Sequence, residues 1–236
     1  GGFGEIFLVK HALTHKLYAI KKTNLAKFGS NHLYNISREA FLLQTLKHKN
    51  ILEIYNSYST NDSLYIIMEY AKGGELFSVI KDNGLDELQC KGLFKQIYSA
   101  IQYIHSKNII HRDLKPNNIL FLDEAKKHLV LIDFGISGVS NGNNHDVIKA
   151  GTTKYMSPEM FDKNSFESST KIDIWSLGII LYLLFYGKFP FEGKTDEETI
   201  HQIIKQPPVF PVNKKISETL FQLLNNLLNK NPDKRI

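Results

Sequence analysis

The segment His111-Arg112-Asp113-Leu114-Lys115-Pro116-Asn117-Asn118 is the most informative stretch of this 236-residue chain. It places an acid, a cation and an amide within one short turn. Twenty positions after Asp113 comes Asp133-Phe134-Gly135, a second acid close to a residue without a side chain. Taken together, these groups predict a site that moves a phosphoryl group from a metal-bound nucleotide to a hydroxyl.

Each side chain of this set suits one part of that chemistry. Asp113 can accept or orient the proton of an attacking hydroxyl, and Lys115 can neutralise charge on the transferred group. Asn118 and Asp133 offer one neutral and one charged oxygen to a divalent cation, Mg²⁺ or Mn²⁺. Surface charges in loops would be a plainer interpretation, but the combined spacing argues against it.

The composition limits the other functions. Hydrophobic residues make up 42% and charged residues 22% of the chain, as in soluble globular proteins. The net charge of +5 divides into +3 over residues 1–70 (8 basic, 5 acidic) and +2 over residues 71–236 (21 basic, 19 acidic). Blocks of like charge are absent, so we expect solvated surface lysines and no binding of nucleic acid.

The cysteine content and the hydropathy of the chain indicate in which cellular compartment it is expected. The single cysteine, Cys90, excludes an internal disulfide and predicts a packing role. The longest apolar stretch, residues 172–185, is too short to span a bilayer. We therefore expect an intracellular, cytoplasmic protein with no membrane segment. We also expect a domain incomplete at both ends, because the chain opens inside a glycine-rich turn and stops without a closing element.

Hydrophobic periodicity predicts an α+β fold with two lobes. Strand-like runs occupy residues 5–9, 17–22, 54–59 and 64–69, with one helix around residues 37–46, and the pattern is mostly helical from Glu75 onward. We predict a small β-rich lobe over residues 1–68, a hinge over 69–74 and a larger, mainly helical lobe over 75–236.

Two helices show start and stop signals. Asp86 and Gln89 form a capping box ahead of apolar residues at helical spacing, and Thr170 and Asp173 resemble a second box. The second helix should end at Gly187 and lie buried, because residues 172–185 are apolar on nearly every side.

Two further motifs suit phosphate binding. Gly1-Gly2-Phe3-Gly4 would let backbone N–H groups approach phosphate oxygens, although such a run is more often a hairpin turn. Lys21 ends an apolar strand and needs an anionic partner, for which Glu39 and phosphate oxygens are candidates. A lysine that simply reaches solvent is the alternative.

With these motifs in order, the chain resembles the eukaryotic protein kinase family, serine/threonine type, most like calcium/calmodulin-dependent kinases. The resemblance implies transfer of the γ-phosphoryl group of Mg-ATP to Ser/Thr hydroxyls of proteins. It rests on the motifs above and on three more, which are Gly151-Thr152-Thr153-Lys154-Tyr155-Met156-Ser157-Pro158-Glu159, Asp173-Ile174-Trp175-Ser176-Leu177-Gly178 and Asn231-Pro232-Asp233-Lys234-Arg235.

The resemblance implies a set of ATP contacts. The glycine loop would cover the phosphates, Glu69 and Ala71 would present backbone groups to adenine, and Met68 would guard the pocket behind it. Ile6, Ala19 and Leu120 would sandwich the adenine ring, although each could equally be plain core packing. The full set is Gly1, Gly2, Phe3, Gly4, Ile6, Ala19, Lys21, Met68, Glu69, Ala71, Leu120 and Asp133.

The resemblance also implies structural roles. Glu159 and Arg235 would form a buried pair that braces the substrate-binding segment, and Asp173 would hold the catalytic-loop backbone. Thr152 would bridge Asp113 and Lys115, as in serine/threonine kinases.

Substrate preference follows from Glu75, which in basophilic relatives receives an arginine upstream of the acceptor. A glutamate at a helix start is also favoured by the helix dipole alone. Asn117 stands where some relatives place a second acid, which weakens any demand for another arginine.

The activation loop departs from the family pattern. The usual phosphoacceptor would lie near Ile148-Lys149, and neither residue can be phosphorylated. Arg112 would normally pair with that phosphate, so we hypothesise that Asp146 or another acid replaces it.

Two other functions are alternatives for a chain with these motifs. A pseudokinase scaffold usually lacks one of three residues that survive here, which are Lys21, Asp113 and Asp133. A small-molecule phosphotransferase seldom carries a segment like residues 151–159.

Overall fold

The computed structural model describes residues 4–25, 44–132, 153–162 and 169–236. Within these ranges two β-sheets precede a set of helices, so the predicted α+β class is confirmed. Several predicted functional residues lie outside the described residues, and their roles stay predictions: Gly1, Gly2, Phe3, Glu39, Asp133, Asp146 and Thr152. Most of the predicted helix over residues 37–46 lies outside them as well.

The N-terminal sheet has four antiparallel strands in the order β1-β2-β4-β3. All four predicted runs are confirmed, with ends that differ by no more than two residues. The strands are β1 (Glu5–Lys10), β2 (Leu17–Asn24), β3 (Ile54–Ser59) and β4 (Ser63–Glu69).

Gly4 lies where β1 meets β2, and a Cβ there would lie 2.5 Å from the Lys22 carbonyl oxygen. This close approach requires glycine whatever the loop binds.

A second sheet of three short strands follows: β5 (Gly74–Glu75), β6 (Ile119–Phe121) and β7 (Leu129–Leu131). The pattern from Glu75 onward predicts mostly helical structure; Glu75 itself ends β5, and a 3-10 helix (Leu76–Val79) begins directly after it. The reason lies in Gly73, whose N–H donates to the Phe121 carbonyl at 2.9 Å. A Cβ on Gly73 would lie 2.2 Å from a backbone oxygen. This contact draws the following residues into pairing with β6.

Four α-helices follow in the described residues: α1 (Glu87–Ser106), α2 (Lys171–Tyr186), α3 (Asp196–Lys205) and α4 (Glu218–Leu227). The capping box of α1 is confirmed, with reciprocal bonds of 2.8 Å and 3.2 Å between Asp86 and Gln89. Cys90 packs in the core as predicted, and burial raises the pKa of its thiol to about 12. No helix in the described ranges is long and apolar enough to cross a membrane.

Helix α2 is the buried centre of the fold. All its residues except Lys171 and Ile174 are buried, and Gly187 ends it with a φ of 72°. The predicted second capping box is wrong, because the Thr170 side chain makes no capping bond. The Asp173 side chain instead accepts hydrogen bonds from a different segment.

Two backbone attachments join the N-terminal sheet to the second sheet. Residues 50–52 bond on both sides of Leu131, at 2.9 and 3.0 Å. Residues 72–73 donate to the carbonyls of residues 121–122, at 2.9 and 3.2 Å. The segments that flank the N-terminal sheet are therefore attached to β6 and β7 of the second sheet by backbone hydrogen bonds.

Candidate active site

The 111–118 segment forms a loop between α1 and β6, and its backbone is held by a single buried carboxylate. Asp173 Oδ2 accepts from the His111 N–H at 2.8 Å, and Oδ1 accepts from the Arg112 N–H at 2.9 Å. His105 Nε2 lies 2.7 Å from Oδ2. These three contacts compensate a side chain that is only 1% exposed. They also hold Arg112 at a φ of 67°, a left-handed conformation uncommon for residues other than glycine.

Arg112 is half-buried in this arrangement. Burial lowers the pKa of its guanidinium, and the negative charge of Asp173 opposes that shift. An arginine remains charged under these conditions, so Arg112 contributes a fixed positive charge beside the loop. Its predicted pairing with an activation-loop anion concerns residues outside the described part of the chain.

His111 has a structural function that the sequence analysis missed. The ring is fully buried, its Nδ1 accepts from the Asp113 N–H at 3.3 Å, and its Nε2 lies 3.2 Å from the Ile132 carbonyl oxygen. This network places the proton on Nε2. His111 therefore ties Asp113 to the residue that directly precedes Asp133.

The structure brings Asp113, Lys115 and Asn118 together. Asp113 Oδ2 accepts from Lys115 Nζ at 2.7 Å and from Asn118 Nδ2 at 3.1 Å. The other oxygen, Oδ1, is buried and has no hydrogen-bond partner among the described residues. Buried polar atoms are rarely left unpaired, so this oxygen is available to a group that joins the site.

Asn118 fits the predicted contact with a divalent cation. Its Nδ2 donates to the Asp113 carbonyl at 2.7 Å as well as to the carboxylate, which commits the nitrogen and leaves the amide oxygen for another ligand. Neutral oxygens of this kind are normal ligands of Mg²⁺. No group of three or more His, Cys, Asp or Glu side chains forms a metal site in the described ranges. A cation here would therefore depend on phosphate, water and the predicted Asp133.

Four of the predicted nucleotide contacts share one face of the N-terminal sheet. In the strand register, Ile6 lies opposite Lys21, and Ala19 lies opposite Met68. Directly paired residues project to the same side, and so do residues two apart in one strand. Ile6, Ala19, Lys21 and Met68 therefore form one surface, although Ile6 is 68% exposed.

The connector that follows β4 leaves backbone donors at Tyr70 and Ala71 without a hydrogen bond to the described residues. The Glu69 N–H donates to the Glu53 carbonyl at 2.9 Å, so it cannot also serve a ligand. The Ala71 N–H makes no hydrogen bond within the described part of the chain. Leu120 lies half-buried on β6, in the second sheet.

Glu159 and Arg235 form the predicted pair with bidentate geometry. The two guanidinium nitrogens lie 2.7 and 3.0 Å from the two carboxylate oxygens. Arg235 is 1% exposed, and it also donates to the carbonyls of Lys171 and Asn229. The segment 153–161 is thereby fastened to the end of the chain.

A contact between Glu75 and Asn117 was not predicted. Glu75 Oε2 accepts from Asn117 Nδ2 at 2.7 Å. The pairing of β5 with β6 sets Glu75 opposite Leu120 and so brings the two side chains together. Only this short strand pair could have revealed the contact, and its two-residue strand carries too weak a periodic signal.

Comparison with known proteins places this geometry in a family. A model of the protein kinase domain matches residues 1–236. Calcium-dependent protein kinase 5 of Plasmodium berghei (strain Anka) is 35% identical over 240 residues, and calcium-dependent protein kinase 6 of the same organism is 38% identical over 239 residues. Both alignments cover all of this chain, but they cover only 42% and 16% of the respective relatives.

Proposed function

The chain belongs to the protein kinase family, and on this premise we propose that it transfers the γ-phosphoryl group of ATP to serine or threonine hydroxyls of proteins. The observation that carries the proposal is the Asp113 carboxylate, which has one oxygen held by two donors and one buried oxygen without a described partner.

Asp113 would act on the acceptor hydroxyl. Its Oδ1 would accept the hydroxyl proton while the hydroxyl oxygen forms a bond to phosphorus and the bond from phosphorus to ADP breaks. Lys115 and Asn118 fix the carboxylate, so its orientation requires no rearrangement during the reaction. Lys115 would in addition offset negative charge on the transferred group.

Asn118, together with the predicted Asp133, would hold Mg²⁺ or Mn²⁺. The metal, when bound, would neutralise charge on the nucleotide phosphates. Lys21 would pair with phosphate oxygens from the face it shares with Ile6, Ala19 and Met68, and that face would receive the adenosine part of ATP. The free Ala71 N–H would donate to the adenine edge.

Glu75 would select basic substrates. Asn117 holds one carboxylate oxygen, which leaves the other for a cation upstream of the acceptor residue. Because Asn117 is an uncharged amide, the site offers a single negative charge at this point. We therefore propose a preference for one arginine rather than two.

Phosphate transfer to matched peptides tests the proposal. Labelled ATP and Mg²⁺ would be incubated with peptides that differ only in a serine, threonine or tyrosine acceptor, and with partners whose upstream arginine is replaced by alanine. We expect transfer to serine and threonine only. Asp113→Asn should lower kcat by about 10²–10⁴-fold, the range for loss of a proton acceptor. Glu75→Gln should raise KM for the arginine peptide alone.

Asp82→Asn is the matched control, since Asp82 is exposed and lies beside Gly187, at the opposite end of α2 from Asp173. Its kcat should equal that of the wild type. Unchanged transfer by Asp113→Asn would refute the assignment of Asp113. Preferential transfer to tyrosine would refute the substrate class.

A further inference from the structure

Helix α1 presents one continuous exposed stripe. Leu88, Lys91, Lys95, Tyr98 and Gln102 are all exposed, and at about 100° per residue they fall within an arc of about 80°. Leu88 is 80% and Tyr98 42% exposed. We call these five residues the α1 stripe.

After its first residue, helix α1 carries positive charge and no acid: residues 88–112 contain neither Asp nor Glu. Glu87 lies four residues before Lys91, but its carboxylate accepts hydrogen bonds from the Ser217 N–H and hydroxyl ahead of α4. Lys91 and Lys95 then repeat the same charge at a spacing of four, where opposite charges would stabilise an exposed helix.

Two loops border the α1 stripe and bring further lysines to it. Gln96 Nε2 donates to the Lys127 carbonyl at 2.9 Å, and His48 Nε2 lies 3.1 Å from Ser99 Oγ. Gln96 and Ser99 lie on the helix face beside the stripe, so the exposed Lys49 and Lys127 flank it.

The charge of the whole region is unusual for this chain. Segments 44–50, 86–107 and 123–128 together hold seven lysines and four acids, a net charge of +3 within the +5 of the entire chain. One of the acids, Asp123, accepts the backbone N–H groups of Lys127 and His128 at 3.2 and 2.8 Å. Of these lysines, Lys47 pairs with Glu53 and Lys126 donates to Ser78. The fold brings the others that lie on or beside the stripe, Lys49, Lys91, Lys95 and Lys127, to one surface although they come from three segments that are far apart in the sequence.

We propose that the α1 stripe and its flanking lysines bind an acidic peptide segment that carries apolar side chains. Leu88 and Tyr98 lie about 15 Å apart at a rise of about 1.5 Å per residue. They would anchor the apolar residues of a partner whose carboxylates meet the lysines between them. Exposed aromatic residues are typical anchors of protein interfaces.

Other polyanions suit this surface less well. The cations are ammonium groups, which lack the planar fork that makes arginine the preferred ligand of phosphate. A nucleic-acid backbone would leave Leu88 and Tyr98 without partners. Two apolar side chains also fall short of the broad apolar face by which helices lie in membranes.

Fluorescence anisotropy with a synthetic probe tests the proposal. The probe is a labelled, glutamate-rich helical peptide with leucine residues ten positions apart, titrated with the full chain at 50 and 200 mM salt. We expect salt-dependent binding that weakens at least tenfold in the double variant Lys91→Glu/Lys95→Glu. The matched control is Lys10→Glu/Lys81→Glu, which makes the same charge change at exposed positions elsewhere and should stay within twofold of wild type. Leu88→Ala/Tyr98→Ala should weaken the binding that persists at 200 mM salt.

Three outcomes would overturn the proposal: no binding of the probe, equal weakening by the control pair, or equal binding of a probe whose leucines are replaced by serine. Phosphatidylserine vesicles and a DNA duplex are run in parallel. Tighter, Lys91- and Lys95-dependent binding of either would replace the peptide as the partner. Thermal unfolding of each variant verifies that it is folded.

Discussion

At the scale of single residues, Lys230 is notable because burial disfavours its charged form. Its ammonium lies 3.8 Å from the ring centre of Phe191 and 4.9 Å from that of Trp175, and it donates to the Ile203 carbonyl near the end of α3. Burial, and then the neighbouring charge of Arg235, lowers the pKa of Lys230 to about 7. The ring and carbonyl contacts offset only part of this burial.

The lowered pKa makes stability depend on pH. An unfolded lysine titrates near 10.4, so between about pH 7 and 10 the unfolded chain binds the extra proton and stability rises with pH. Lys230→Met should therefore be more stable than wild type below pH 7, with a gain that shrinks as the pH rises to 9. Chemical unfolding at pH 6.5, 8 and 9 measures this difference, and Lys234→Met serves as the exposed control. A gain independent of pH would contradict the lowered pKa.

At the scale of elements, the first turn of α2 positions the loop that carries Asp113. The Asp173 carboxylate does not cap the start of α2. It accepts hydrogen bonds from two backbone N–H groups of that loop. The local helix signal and the long-range contact compete for the same carboxylate. The long-range contact prevails because buried N–H groups without partners are costly.

Asp173→Asn should loosen the 111–118 loop. The amide group turns a donor toward one of the N–H groups, so we expect kcat to fall at least tenfold while KM for ATP changes less. Stability should drop by about 2–3 kcal/mol, as for a buried hydrogen-bonded charge. Asp196→Asn, in the exposed first turn of α3, is the control. Normal kcat in a folded Asp173→Asn protein would show that the loop holds its shape without this carboxylate.

The sequence revealed elements better than the contacts between them. The strands are recognisable as short β-like runs. Asp113, Lys115 and Asn118 are close in sequence, so one turn is enough to bring them together. By contrast, His105 reaches Asp173 across 68 positions, and Glu75 reaches Asn117 across 42. Such pairs depend on how helices and short strands pack, which periodicity does not encode. The same limit hid the gathering of lysines around α1.

At the scale of the whole molecule, the Glu159–Arg235 pair connects segments 76 positions apart. The arginine is almost fully buried and also satisfies two carbonyl groups, and its guanidinium carbon lies 5.2 Å from the Trp175 ring centre. Because the guanidinium is buried, removal of either partner would leave the other charge without compensation, which is costly.

Arg235→Met should destabilise the protein by about 3–5 kcal/mol, because Glu159 then keeps a partly buried charge without its partner. Glu159→Gln in the same background should recover part of that loss. A double-mutant cycle by urea unfolding measures the coupling, with Lys234→Met as the neighbouring exposed control. Additive effects of the two changes would show that the pair is not coupled.

The two backbone attachments below the N-terminal sheet restrict its movement mechanically. A rigid plate fixed at two points retains one rotation, about the line through both. Here one point is Leu131 and the other lies at residues 121–122, so the line belongs to the strands that adjoin the 111–118 loop. A sideways displacement of the sheet would break these backbone hydrogen bonds, whereas a rotation about that line would keep them. We therefore expect any change in the position of Lys21 relative to Asp113 to follow such a rotation.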